Sequence, residues 1–260
     1  MGLGVLAFGD SITNGGGELQ WGVALQSWAL WVARGLGVPY SGYAEDGARA
    51  PDVVTRQIPA HRTAQPSARY DVGCLYIGTN DVRALDWDPN AFARDFAIAL
   101  DYIRERCDRT LVVTIPLDLG RPRAGPKVED ANRIIEEAAA GGVPGRPHAG
   151  PKIEEANRII EHAATAAHTL VLDLRPFGGR SVLMADHVHP TACGQISIAE
   201  RALDVLSADG VPVRVRPSTL VSYETTPWGR LRADATYVYR HAKVSIRAAA
   251  TVAAVRLGLL

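Results

Sequence analysis

A chain of 260 residues, 47% of them hydrophobic, is long enough for one large α/β domain, or for a domain of about 200 residues with an appendage. No uninterrupted apolar run approaches the roughly 20 residues needed to cross a bilayer, which excludes a membrane-spanning helix. The formal net charge is +0 but unevenly spread: residues 211–260 carry eight Lys/Arg against two acids, so a basic extension of +6 follows a domain, 1–210, of −6.

Leu3 to Phe8 is a continuous apolar run that predicts a buried parallel strand, broken at the polar turn Gly9-Asp10-Ser11. Ser11 then sits just past the carboxyl end of that strand, where open α/β sheets bind ligands; taken alone, a serine there reads first as a cap on the next helix, and the catalytic reading depends on what lies downstream. Trp21, Leu25, Trp28 and Val32 share one helical face, predicting a helix over 21–36 that closes at Gly35 and Gly37. A short strand follows over Val38–Tyr43, and a short helix over Pro51–His61.

Tyr70 to Ile77 is the next buried strand and runs into a second polar turn, Gly78-Thr79-Asn80-Asp81. Asp88-Pro89 is an N-cap with proline at the first helical position, opening a helix to about Arg106 with Phe92, Phe96, Leu100 and Ile103 inward. Leu111 to Ile115 is a strand ended by Pro116, and Thr169 to Leu174 another. A third polar turn is Asp186-His187-Val188-His189-Pro190, after which Thr191 can cap a helix to about Leu206. Alternating strands and helices predict a doubly wound parallel sheet with right-handed crossovers.

Between the last two strands the sequence repeats itself. GPKVEDANRIIEEAAA at 125–140 recurs as GPKIEEANRIIEHAAT at 150–165, with twelve of sixteen positions identical at an offset of 25. Two copies are too few for a solenoid, and a crossover needs only one helix. One copy is therefore expected in the crossover, and the other against the outside or a second subunit.

The three polar turns together hold the parts of a serine hydrolase: a nucleophile, an imidazole to take its proton, an acid to orient the imidazole, and donors for a developing oxyanion. Asp186 precedes His189 by three residues, so a single loop can present both side chains to one another. No GxSxG occurs, which excludes the α/β-hydrolase elbow.

In these turns the chain resembles the SGNH hydrolase superfamily, or GDSL esterases and lipases. Gly9-Asp10-Ser11 matches the first block, Gly78-Thr79-Asn80-Asp81 the third and Asp186-His187-Val188-His189 the fifth. The second block is a lone glycine, matched by Gly47, with Gly42 as the fallback. The resemblance spans residues 3 to about 206 and implies a flavodoxin-like, three-layer α/β/α fold around a five-stranded parallel sheet, acting on small-molecule esters without a cofactor or metal. It implies Ser11 as nucleophile, His189 as base and then acid, Asp186 as orienting acid, and an oxyanion hole from the N–H groups of Ser11 and Gly47 with the Asn80 amide. Asp10 is read as bracing the turn. An acyltransferase using the same residues, or a binding protein with a relic triad, are the alternative readings.

The remaining features are read more plainly. A metal site from Asp186, His187 and His189 lacks further ligands nearby, so His187 is read as an exposed neighbour of the site, and His61, His148, His162 and His168 as surface residues. Gly15-Gly16-Gly17 lacks the lysine of a phosphate-binding loop and is read as room for substrate, with Trp21 and Trp87 near the same edge. Cys74, Cys107 and Cys193 lack CxxC spacing and are expected as buried thiols. No secretory leader is evident, so a cytoplasmic location is expected. The basic segment is expected to be helical over 226–260. Three readings of it compete: packing on the domain or a second subunit, then peripheral contact with anionic membrane, and last nucleic acid, for which no motif exists.

Overall fold

The computed structural model describes residues 4–17, 25–119, 125–141, 169–179 and 181–221, together with Ala235 and Tyr239. The second repeat copy, His148, His162, His168, Trp21 and, apart from Ala235 and Tyr239, the expected tail helix lie outside the described residues.

Among the described residues five strands, β1 (Val5–Gly9), β2 (Tyr40–Gly42), β3 (Tyr70–Tyr76), β4 (Cys107–Val113) and β5 (Thr169–Leu172), form one sheet in the order β2-β1-β3-β4-β5. Every pairing is parallel. This order reverses direction between β1 and β3, the topological switch at which flavodoxin-like sheets bind ligands. The polar turns after β1 and β3 flank that switch.

The helices form two layers. On one face α2 (Trp28–Leu36) packs against the long helix α8 (Ala192–Ala208). On the other lie α3 (Ala50–Asp52), the π-helical turn Val53–Gln57 that continues into α4 (Ile58–Ala64), α6 (Pro89–Arg104) and α7 (Gly125–Ala139). The one-turn helices α1 (Ser11–Asn14) and α5 (Thr79–Arg83) top β1 and β3. The expected inward stripe of α6, Phe92, Phe96, Leu100 and Ile103, is buried, and Asp88 caps the helix by accepting from Asn90 and Ala91 N–H. Cys74 and Cys107 are buried, Cys193 is half-buried, and none forms a disulfide.

Several boundaries differ from the sequence reading. The second helix starts at Trp28, where Ser27 caps it: Ser27 Oγ accepts from Ala29 N–H and donates to the Thr13 carbonyl, fixing the helix start against the turn after β1. β4 begins at Cys107, four residues before the apolar run, since Tyr70–Val72 of β3 offers partners to Cys107–Arg109 whatever their polarity. His61 is fully buried, not on the surface. Its ring lies between the Tyr102 and Tyr70 hydroxyls, at 2.7 Å from Nδ1 and 3.0 Å from Nε2, and Tyr70 donates onward to Gln65 at 2.6 Å. A polar ring whose two nitrogens are both partnered can be buried at little cost.

The first repeat copy fills the crossover between β4 and β5. Its helix, α7, contacts α6, β4 and β5, with Val128, Ala131, Ile134, Ile135 and Ala138 inward. Asn132, also buried, accepts from Ile115 N–H at 2.6 Å and donates to the Ile115 carbonyl at 2.8 Å, completing the backbone just past β4. Arg104 donates to the Ala138 and Ala139 carbonyls at the end of α7 and to Thr169 Oγ1 at the start of β5. Residues 211–216 return across the domain, where Arg214 and Val215 N–H bond the Gly35 carbonyl and Arg216 pairs with Glu200 and Asp204.

Asn132→Ala leaves two buried backbone groups unpaired. It is expected to lower unfolding free energy by about 2–3 kcal/mol, read from the urea midpoint at constant m-value.

Candidate active site

Gly9 ends β1 at φ 154°, and a Cβ there would stand 2.4 Å from the Tyr76 carbonyl oxygen, so only glycine lets the chain leave the sheet here. Asp10 then accepts from Ile12 N–H at 2.9 Å and caps α1. The cap is Asp10 and not Ser11, so the serine hydroxyl is left unused by the backbone. Ser11 Oγ lies 2.9 Å from His189 Nε2.

The histidine is held by a tight loop. Asp186 Oδ1 accepts from the N–H groups of Val188 and His189, both at 3.0 Å, folding the loop back on itself, while His187 takes the left-handed conformation at φ 59°. Pro190 bridges back to Leu183, and Met184 N–H bonds the His189 carbonyl. Asp186 Oδ2 is 2.6 Å from His189 Nδ1. With Nδ1 donating to the carboxylate, Nε2 faces Ser11 as an acceptor; this tautomer follows from the partners. His187 points elsewhere, its Nδ1 3.5 Å from Asp118 Oδ2 in the loop after β4. Among the described residues no group of three His, Cys, Asp or Glu side chains converges as a metal site requires.

The turn after β3 grips the loop that carries Gly47. Asn80 Nδ2 donates to the Ala48 carbonyl at 3.0 Å, and both oxygens of Asp81 accept from Ala50 N–H, at 3.1 and 3.2 Å, with Arg49 Nε 3.7 Å away. Two successive side chains thus hold the backbone on either side of Arg49. Gly47 is exposed, at φ 75°, two residues after Glu45, whose N–H bonds the Gly9 carbonyl. Gly42 stays in β2, paired with Ala7. The structure therefore joins Ser11, His189 and Asp186 in one hydrogen-bonded chain and ties Asn80 to the Gly47 loop through Ala48. Sequence reasoning passed over Asp81, Gln57 and Gln195, which hold these turns; the readable signal is a polar side chain on the apolar face of its helix.

The charges around the chain are strongly coupled. The Asp186 hydrogen bond raises the His189 imidazole above its ordinary 6.5; burial opposes this, the charges of Asp186 and Asp10 add to it, and Arg83 opposes it. Burial would raise Asp186, but the His189 hydrogen bond and the two loop amides outweigh it and bring the carboxyl to about 2. Burial pushes Asp10 up to about 7, against the pull of Ile12 N–H and His189, and its Oδ2 has no hydrogen-bond partner among the described residues. Burial also lifts Asp81 to about 6.

An open parallel sheet of order 2-1-3-4-5, with serine, histidine and aspartate hydrogen-bonded at its carboxyl edge, defines a flavodoxin-like α/β protein with a candidate site at its topological switch. Sequence comparison narrows this: the profile of the GDSL-like Lipase/Acylhydrolase family matches residues 7–195, and the chain belongs to that family, as a carboxylic ester hydrolase. No curated protein sequence matches it. Solved structures with a similar fold include an acetyl xylan esterase from Geobacillus stearothermophilus, 17% identical with a TM-score of 0.54 over 81% of this chain and 96% of that one. A carbohydrate esterase family 3 protein from Talaromyces cellulolyticus is 18% identical, with a TM-score of 0.54 over 78% of this chain and 96% of that one. A lipase/acylhydrolase from Enterococcus faecalis is 20% identical, with a TM-score of 0.53 over 79% and 95%. Among the described residues no helix is long and apolar enough to cross a membrane.

The raised Asp10 has a thermodynamic signature. Unfolded, its carboxyl ionises near 3.8; folded, near 7. Between those values the folded state holds the extra proton, so this group makes stability fall as pH rises through the window. Asp10→Asn keeps the acceptor for Ile12 N–H and cannot ionise. It is expected to raise the thermal midpoint relative to the unsubstituted protein at pH 8 and to leave it nearly unchanged at pH 4, in melts across that series.

Proposed function

We propose that the protein hydrolyses carboxylic esters through an acyl-enzyme on Ser11. The observation that carries this reading is the continuous chain from Ser11 Oγ through His189 to Asp186, at 2.9 and 2.6 Å, with the serine hydroxyl left free of capping duty by Asp10.

In this mechanism Ser11 Oγ attacks the ester carbonyl while its proton passes to His189 Nε2. The imidazolium so formed is stabilised by Asp186 and, at longer range, by Asp10. The carbonyl oxygen becomes an oxyanion that the Ser11 and Gly47 N–H groups and the Asn80 amide receive; Asn80 spends one N–H on Ala48 and retains the other. His189 then protonates the departing alkoxide. A water, deprotonated in turn by His189, attacks the acyl-enzyme and releases the acid and free Ser11. The named activities of the structural neighbours make short acyl esters of sugars the first substrates to try, beside p-nitrophenyl esters of increasing chain length.

Ser11→Ala is expected to lose on the order of 10⁴ to 10⁶ in kcat, and Asn80→Ala roughly 10² to 10³. Turnover surviving Ser11→Ala overturns the proposal, as does the absence of a fluorophosphonate adduct on Ser11 by intact mass. Product formation accelerated by an added alcohol at constant ester concentration identifies an acyltransferase instead.

The acid limb of kcat/KM reports the loss of the His189 proton in the free enzyme. Because Asp186 raises that pKa, the limb is expected above 6.5. Asp186→Asn is expected to move it to lower pH while cutting kcat by about 10⁴. A limb unmoved by this substitution refutes the base assignment.

A further inference from the structure

Two glutamines that the proposed mechanism does not use lie fully buried on either side of the Ser11 turn. Gln57, the last residue of the π-helical turn, makes a two-point contact with one residue of β1: Oε1 accepts from Gly9 N–H at 3.0 Å, and Nε2 donates to the Gly9 carbonyl at 2.8 Å. Gln195, in the second turn of α8, reaches the turn from the opposite face of the sheet. Its Nε2 donates to the Ile12 carbonyl at 2.9 Å and the Gly16 carbonyl at 3.1 Å, while its Oε1 accepts from Trp28 N–H at 2.8 Å.

Sheet geometry explains why these contacts exist. Val5 N–H and the Ala7 carbonyl bond the chain of β2 at Pro39 and Tyr43, so the odd residues of β1 direct their backbone groups toward that side. β2 ends at Gly42, opposite Ala7, and Gly9 has no strand partner there. Gln57 supplies the missing donor and acceptor, joined at the carbonyl by Glu45 N–H. The π turn adds a residue per turn and so rotates Gln57 off the α-helical stripe toward the sheet; such turns are frequent at functional sites. Gln195 works at the other end of the turn. It lies six residues after His189 on the helix that Thr191 caps, so one helix carries the histidine loop and grips the serine turn.

We propose that Gln57 and Gln195 are positioning residues for the nucleophile, fixing the backbone from Gly9 to Gly16 so that Ser11 Oγ and Ser11 N–H keep their aim while the histidine loop is held on the same frame. The inference rests on Ser11 being the nucleophile. Each glutamine uses its amide as acceptor and donor at once. Glutamate keeps the acceptor, but when ionised it sets a negative oxygen against the Gly9 carbonyl or against the Ile12 and Gly16 carbonyls. When protonated it can donate again.

The test is kcat, KM and the rate of Ser11 labelling by a fluorophosphonate across pH for Gln57→Glu and Gln195→Glu, at a temperature where circular dichroism shows both folded. A displacement of the serine by a fraction of an ångström to 1 Å is expected to lower kcat and labelling by on the order of 10²-fold at pH 8, with KM little changed. The ratio of variant to unsubstituted kcat is expected to climb as pH falls and the introduced carboxyl takes a proton. Folded variants with undiminished kcat and labelling at pH 8 overturn the proposal, as does a reduced kcat whose ratio stays flat with pH. If a glutamate variant does not fold, Gln57→Met or Gln195→Met removes the donor without adding charge, and undiminished kcat there is equally fatal. If the unsubstituted protein shows no Ser11-dependent turnover, the proposed function has failed. Amide hydrogen exchange over residues 9–16 then decides the clamp by itself: faster exchange in the variants supports it, and unchanged exchange overturns it.

Discussion

The N–H of Ile12 is an orphan donor at the start of a helix, and something must accept from it. Either Asp10 or Ser11 could cap the helix that begins here, each serving the N–H two or three residues on, and the choice decides what the site can be. Asp10 accepts at 2.9 Å. Ser11, one residue on, begins the helix, and its hydroxyl reaches out of the sheet to His189. Everything else around the turn follows from keeping that arrangement: glycine at position 9, where a Cβ would strike Tyr76; a closing left-handed Gly15; and buried amides on the backbone at both ends. The carboxylate that makes the cap is held in a dry place where ionisation is costly, with His189 as the positive group nearest in effect. Structure and electrostatics at the turn are therefore one problem.

The three turns are held by different means, each suited to its length. The histidine turn is local, with Asp186 satisfying two amides of its own loop and the ring it orients. The asparagine turn is a bridge, gripping a loop some 30 residues away through Ala48 and Ala50. The serine turn is held from both faces of the sheet, by residues 48 and 183 positions away from their contacts. The two glutamine anchors are fully buried, where water does not compete for their hydrogen bonds, whereas Asn80 and Asp186 are half-buried.

The separation between a side chain and the backbone it holds also decides what could be read from the residues alone. The buried strands, the polar turns at their ends, the Asp88 and Thr191 caps and the inward stripe of α6 are local patterns, and they were legible. Ser11, Asp186 and His189 were readable as candidates because a serine hydrolase needs those residue types at strand ends and the spacing of Asp186 and His189 lets one loop hold both, while Asn80 rested on the family resemblance. Gly47 rested on a resemblance, and the Asn80 contact to Ala48 links it to the asparagine turn. Gln57, Gln195 and His61 show in the sequence only as polar side chains among apolar helix positions; what they bond was not legible, since the contacts of the glutamines lie 48 or more residues away and His61 needs Tyr102, 41 residues on, beside Tyr70. The start of β4 was missed for a related reason: Asp108 and Arg109 have no strand propensity worth noting, and only the neighbouring strand makes them one.

The crossover helix carries a different lesson. Between the two repeat copies, 125–140 and 150–165, only four positions differ. In α7, Val128 is buried, Asp130 and Glu137 are half-exposed, and Ala140, just past the helix, is exposed. Asn132, which completes the backbone at Ile115, recurs as Asn157, and Val128 gains one methylene as Ile153. The face that packs on the sheet is thus spelled almost identically twice. The copies are set apart by those four positions, one of them a methylene in the packed face, and by the length of chain on either side of each; the first occupies the crossover.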